Sequence, residues 1–204
     1  GLKTILTNSY FKKMLLPQVV VKDLNNDILK LLKVSYPFHP KLSVAITGTN
    51  GKTSTAWYVT QICNLNNIPT KLTGTIGYFK NTKKIKDLSL TTPSNYDLYQ
   101  ISHSNKKNNN FFICEASSHG LHQGRFNNLN IDIAAITNIS HDHLDYHKNF
   151  NSYVKSKVIL FNKILNTSGT AVVNSRLKNY KTLKSKIKSR NIKIITYGSI
   201  DVYF

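Results

Sequence analysis

Residues 47–54 read TGTNGKTS between a short β-branched run, Val44 to Ile46, and a stretch of helical character, and no other segment limits the possible folds so tightly. A strand that turns through two glycines into a helix aims backbone N–H groups and a helix N-terminus at one point, which is an anion site. Gly48 and Gly51 can take positive φ and let the backbone close on a phosphate, Lys52 adds a point charge for the outer phosphates, and the Thr53 hydroxyl can ligate Mg²⁺. The implied ligand is ATP or another nucleoside triphosphate, held by Gly48, Thr49, Asn50, Gly51, Lys52, Thr53 and Ser54. The loop departs from the usual G-x-x-x-x-G-K-[ST] pattern, because Ile46 stands where the first glycine belongs. The competing reading is a ligand-free glycine turn; strand, turn, Lys-Thr and helix occurring together favour the phosphate loop.

The remaining chain alternates as such a loop requires. Leu42 to Thr47 reads as the strand before it and a helix runs from it toward Asn67 and Pro69, followed by a strand from Lys71 to Ile76, a basic loop through Lys80 to Lys86, and a helix from Ser94 to Ser104. Ser94 suits its N-cap, with Asp97 completing a box-like pair. A polar surface loop, Asn105 to Asn110, leads to strands over 111–115 and 131–137, a helix from Asn151 to Leu165, a strand from Thr170 to Val173, a basic helix to about Ser189 and a strand from Lys193 to Tyr197. Each crossover can join parallel neighbours, so the fold class is α/β, a doubly wound and mostly parallel sheet. Ahead of it, Leu2 to Val34 mixes an extended stretch, Gln18 to Val21, with an amphipathic helix from about Asn25 whose apolar side is Ile28, Leu29, Leu31 and Leu32; Pro37 and Pro40 mark a linker.

Composition narrows the function classes. No apolar run approaches the ~20 residues of a membrane span, and Tyr10 to Val21, apolar only in patches and carrying Lys12, Lys13 and Pro17, does not read as a signal peptide. Cys63 and Cys114 lack metal-ligand spacing and predict reduced thiols in a cytoplasmic protein. The formal charge of +19 invites a nucleic-acid reading, but it is nearly all lysine scattered through loops, with only Arg125, Arg176 and Arg190 as arginines. Such a surface predicts salt-sensitive, non-specific association and no specific nucleic-acid partner.

Two further segments end strands in polar chemistry: EASSHGLHQGR at 115–125 and TNISHDHLDYH at 137–147. Ligands bind off the carboxyl ends of parallel strands, so Glu115, His119, Asn138 and His143 should converge on the edge that carries the phosphate loop. Glu115, a desolvated carboxylate beside apolar residues, calls for a cation, most naturally Mg²⁺. The histidines and aspartates of 141–147 could pass for a zinc cluster, although no cysteine or second half-site supports one. On the helix through 151–165, Val154, Val158, Phe161 and Leu165 share a face, with Lys157 inside it between Phe161 and Ile164, while Lys155 and Lys163 point elsewhere. A buried lysine has a depressed pKa and offers a neutral amine to CO₂, giving a carbamate; the bland alternative is a snorkelling side chain.

Taken with TTP at 91–93 and YVKSKVILF at 153–161, these segments resemble the Mur ligases of peptidoglycan synthesis, most closely the MurE type, which adds the third amino acid to UDP-N-acetylmuramoyl-L-alanyl-D-glutamate. The resemblance implies that residues 1–40 are the tail of an N-terminal UDP-binding domain with its linker, and that 41–204 are an incomplete central ATP-binding domain. The C-terminal domain is missing on this reading, so the chain is expected to be a fragment inactive by itself. The resemblance assigns catalysis to Lys52, Glu115, His143 and Lys157, metal contact to Thr53, Glu115, His143 and Lys157 as its carbamate (N6-carboxylysine), and substrate contact to Thr91, Thr92, Ser117, Gln123 and Arg125. It further implies ATP and Mg²⁺ as cofactors, a UDP-muramoyl-dipeptide and an amino acid, either diaminopimelate or lysine, as partners, an acyl-phosphate route and a cytoplasmic monomer. Folylpolyglutamate synthetases carry a similar GTNGK loop and remain an alternative, as do a non-catalytic nucleotide-binding module and a non-specific nucleic-acid binder.

Overall fold

The computed structural model describes residues 3–104, 110–178, 180–188 and 192–198. Residues 105–109 of the expected surface loop, and Ser189 at the expected end of the basic helix, lie outside the described residues. The chain forms two compact units, Gly1–Pro37 and Phe38–Phe204. In the first, β1 (Ile5–Thr7) pairs in parallel with β2 (Gln18–Val20), and α1 (Leu24–Ser35) is capped by Asp23, whose carboxylate accepts from the Asn26 amide. No residue of α1 is fully buried, and Leu31, expected on its apolar side, is instead 55% exposed. Leu31 falls at the flank of the face that Leu24, Ile28, Leu29 and Leu32 define at 100° per residue.

The second unit is built on an eight-stranded sheet. Its strands in chain order are β3 (Leu42–Thr47), β4 (Thr70–Gly74), β5 (Gly77–Lys80), β6 (Lys83–Lys86), β7 (Phe111–Glu115), β8 (Ile131–Ile136), β9 (Leu165–Asn174) and β10 (Lys193–Tyr197). Their spatial order is β10-β9-β8-β3-β7-β4-β5-β6. The six strands from β10 to β4 are mutually parallel, which makes the expected mostly parallel α/β sheet; β5 and β6 add an antiparallel hairpin at one edge. The strand that feeds the phosphate loop is central, with Ala45 and Ile46 fully buried, as a parallel strand covered by helices should be. Val44, Ile46, Leu72 and Ile113 from three neighbouring strands close with Ala56 of α2 (Lys52–Leu65) and Phe79 into one core cluster.

Further expectations needed correction. The basic loop through Lys80 to Lys86 is the β5–β6 hairpin, turned at Asn81 with φ 55. Asn tolerates that left-handed conformation in a two-residue turn, and the lysines of β6 point to solvent on an edge strand, where they discourage pairing with another chain. The helix expected to reach Leu165 is α-helical only over Phe150–Ile159; Leu160–Ile164 form a π-helical turn, and Leu165 already belongs to β9. The wider turn breaks the 100° spacing, so Leu165 leaves the stripe, while Val158 and Phe161 stay buried. Between β6 and β7 runs α3 (Asn95–His103), with Ser94 as its N-cap: its hydroxyl accepts from the Asp97 amide at 3.1 Å and donates to the Asp97 carboxylate at 2.7 Å. Short helices α4 (Ser118–His122) and α5 (Leu144–His147) precede Phe150–Ile159, which is α6, and α7 (Tyr180–Lys188) precedes β10.

Candidate active site

The glycine loop takes the backbone that its sequence predicts. Gly48 has φ 147 and Gly51 has φ 80, and Gly51 is the N-cap of α2. A Cβ at Gly48 would lie 1.9 Å from the Thr137 hydroxyl, so the position also demands glycine for space. The loop is clamped from the end of β8. The Thr137 hydroxyl donates to the Asn50 carbonyl at 2.6 Å, and Asn138 accepts from the Asn50 amide at 2.9 Å and donates to its carbonyl at 3.0 Å. Lys52 folds back on the loop and donates to the carbonyls of Gly48 and Thr49 at 2.9 and 2.8 Å. Burial lowers its pKa, against the opposing pull of Glu115 and Asp142.

Glu115 ends β7 and is 1% exposed. Its carboxylate accepts from the Thr53 hydroxyl at 2.9 Å, the Thr75 amide at 2.8 Å and the Thr75 hydroxyl at 3.2 Å, and it makes no ion pair among the described residues. Gly74 lets it sit there: a Cβ at that position would come within 2.0 Å of Oε1. Thr75, which sequence reasoning missed, also shares a 3.1 Å hydrogen bond with the Thr91 hydroxyl. The strand expected to run through it to Ile76 ends at Gly74, so Thr75 lies just past a strand end, where parallel sheets bind ligands.

Lys157 does not snorkel. It is 1% exposed on α6, whereas Lys155 and Lys163 are exposed. Its Nζ donates to the Gly48 carbonyl at 2.8 Å and lies 4.5 Å from the centre of the Tyr153 ring. Two amines therefore meet at one carbonyl. Burial first, and then repulsion from Lys52, push the Lys157 amine down to about 7, with Asp142 opposing. Tyr153 is fully buried, and its hydroxyl lies 2.9 Å from that of Thr49, fastening α6 to the phosphate loop.

His143 precedes α5 in the left-handed conformation, φ 50, with Nε2 3.4 Å from the Asp142 carboxylate. Its ring packs against His119 at 4.9 Å, and His119 in turn contacts Tyr146 and His147. Burial lowers the pKa of His119 and of His147, and neighbouring histidines lower both further. Among the described residues no group of three or more His, Cys, Asp or Glu side chains is disposed to hold a metal. The histidines of this loop pack ring on ring.

The residues implied for substrate contact divide. Thr91 and Ser117 line the same cleft of about 310 Å³ as Thr49 to Ser54, Thr75, His143 and Lys157. The Thr92 hydroxyl is engaged within the protein, donating to the Glu115 carbonyl at 2.8 Å and accepting from the Ser117 amide at 3.0 Å. Ser117 caps α4, accepting from Gly120 N at 3.1 Å. Arg125 donates to the Thr92 carbonyl and to Gln123 Oε1, both at 2.5 Å, so Arg125 and Gln123 stand together beside the cleft-lining segment. Cys63 and Cys114 are both buried free thiols. Among the described residues no helix is long and apolar enough to cross a membrane.

Comparison with known proteins places this geometry. Residues 46–202 match the family model of the Mur ligase middle domain. A UDP-N-acetylmuramoyl-L-alanyl-D-glutamate--2,6-diaminopimelate ligase of Rickettsia conorii is 35% identical over 193 residues, covering 92% of this chain and 40% of its own. The solved structure of a ligase with that same name superposes with a TM-score of 0.73 at 27% identity, over 94% of this chain and 39% of that one. FolC of E. coli, in complex with DHPP and ADP, shares the fold at 13% identity, with a TM-score of 0.56 over 83% of this chain and 46% of its own. The chain thus spans about two fifths of the length of the curated relatives it matches.

Proposed function

The chain belongs to the Mur ligase family, and on that premise we propose that it is the ATP-binding part of a ligase that joins the third amino acid to UDP-N-acetylmuramoyl-L-alanyl-D-glutamate through an acyl phosphate. One observation supports the reading above the others: the phosphate loop and a buried lysine line a single cleft, and a buried carboxylate, Glu115, is hydrogen-bonded to two of the threonines that line it, Thr53 and Thr75. That amine lies at about 7, within reach of CO₂ chemistry. The amino acid we infer is 2,6-diaminopimelate, the one that the relatives' names carry. The substrate assignments of Thr91, Thr92, Ser117, Gln123 and Arg125 come with this reading, as do the family's domain roles for residues 1–40 and 41–204. We place the reaction in the cytoplasm, carried out by a monomer with no specific nucleic-acid partner.

The loop amides of Gly48 to Ser54 and the Lys52 ammonium would hold the polyphosphate of ATP. Thr53 and Glu115 present a hydroxyl and a carboxylate 2.9 Å apart, hard oxygen donors that fit Mg²⁺. Lys157 as an ammonium fits no cation; as a carbamate it would offer oxygens, and with His143, which also lines the cleft, it would supply ligands for a second metal ion. Magnesium bound there would neutralise phosphate charge. Thr75 keeps the Glu115 carboxylate in place, and Tyr153 keeps Lys157 beside the loop. Catalysis in this arrangement is positioning and charge stabilisation, and no side chain acts as nucleophile.

Titration of the protein, loaded with a non-hydrolysable ATP analogue, tests the reading against its rivals. Binding of UDP-N-acetylmuramoyl-L-alanyl-D-glutamate is the expected result. Binding of folate instead would move the assignment to the folylpolyglutamate type, and nucleotide binding with neither acceptor would leave a nucleotide-holding module.

A further inference from the structure

We propose that the Ser118 hydroxyl, to which the resemblance assigns no role, receives the carboxylate of the acceptor. The inference rests on the cleft being the place where that carboxylate meets the nucleotide phosphate. Ser118 is 2% exposed, lines the cleft, and its Oγ has no hydrogen-bond partner. A buried hydroxyl left unpaired carries its full desolvation penalty, so it calls for a partner from outside the protein. Other buried polar atoms without partners among the described residues, such as Thr47 Oγ1, Thr73 Oγ1 and His147 Nε2, belong to residues that do not line this cleft.

The neighbouring groups make the assignment specific. Ser117, next in the chain, is occupied as the cap of α4, and Thr92 is bonded on both sides within the protein. Ser118 is left as the open hydroxyl of that segment. The cleft is lined by Lys52 and by several hydroxyl side chains, a set that suits anionic ligands, and a hydroxyl donates readily to an oxyanion. Ser118 enters the lining from the segment after β7, with Ser117, whereas the nucleotide phosphates have the loop of residues 48–54. The carboxylate, not the nucleotide, is therefore the anion assigned to it.

Calorimetric titration of the ATP-analogue-loaded protein with UDP-N-acetylmuramoyl-L-alanyl-D-glutamate, comparing wild type with Ser118→Ala, tests this. Acceptor affinity should fall at least about tenfold in the variant while analogue affinity stays within about twofold, because a hydrogen bond to a charged group is lost at one ligand only. The melting temperature of Ser118→Ala should hold or rise, since no intramolecular bond is removed, whereas Ser117→Ala should lower it by removing a cap. Equal acceptor affinity in the two proteins would overturn the inference and leave the functional reading intact. A loss of analogue affinity with the acceptor unaffected would overturn it by giving the hydroxyl to the nucleotide. A wild-type protein that binds the analogue but not the acceptor would remove the functional reading, and this inference with it.

Discussion

Lys157 carries the most chemistry of any single residue, and its environment sets the sign of its pH response. Folding lowers its pKa from 10.5 to about 7, so the folded state binds fewer protons than the unfolded one between those values. The buried ammonium therefore costs stability below pH 7, and that cost is relieved as pH rises from about 7 toward 10.5. The same shift should govern carbamate formation. With ¹³C-bicarbonate, the carbamate signal should be weak at pH 6, strong at pH 8 and missing in Lys157→Ala; a signal of equal strength in that variant would assign the modification elsewhere. Gly74 gives a second test at this scale. Gly74→Ala would drive a methyl group to 2.0 Å from Glu115 Oε1 and displace the carboxylate from Thr75. Mg²⁺-dependent nucleotide affinity should drop at least about tenfold, as expected for loss of charged hydrogen bonds; an unchanged affinity would show that Glu115 takes no part in metal binding. Lys157, Glu115 and the loop glycines were legible because their residue types clash with their predicted burial or backbone. Thr75 and Ser118 were not, because which of several hydroxyls is left open depends on which are taken by capping and by cross-strand bonds.

At the scale of elements, the hairpin of β5 and β6 shows where pattern reading stops. Its outer strand is KKIK, wholly exposed, so no apolar alternation announces it. The one local cue was Asn81 before Thr82, and Asn81 does more than turn the chain: its side chain accepts from the Thr70 amide at 2.9 Å and its own amide donates to the Thr70 carbonyl at 2.9 Å. Asn81→Ala should cost about 1–2 kcal/mol, from left-handed strain and the lost bond, measured by urea unfolding. A change near zero would mean that the hairpin contributes little to the stability of the sheet. The π-helical turn after α6 was equally hidden, since a 3.6-residue period has no term for a widened turn. By contrast β3, α2 and the cap of α3 fell where the residues put them, because a buried strand, a glycine entry and a Ser-x-x-Asp box are local signals that tertiary packing had no reason to override.

For the molecule as a whole, the sheet brings to one edge groups far apart in sequence: Lys52, Glu115 and Lys157 come from three different helices and strands, and all are buried or partly buried with their polar ends turned inward. Net charge of +19 then favours anionic ligands without choosing among them, and the choice falls to the loop. Nucleotide bound at a hundred times its dissociation constant should stabilise the fold by about 2.7 kcal/mol. Nucleotide binding at that loop is the property on which the proposed function depends, and calorimetric titration of wild type and Lys52→Ala with Mg-ATP measures it. Measurable binding is expected in the wild type, with a loss of about 1.5–3 kcal/mol, roughly ten- to a hundredfold, in the variant. Equal affinity in the two proteins would contradict nucleotide binding at the loop.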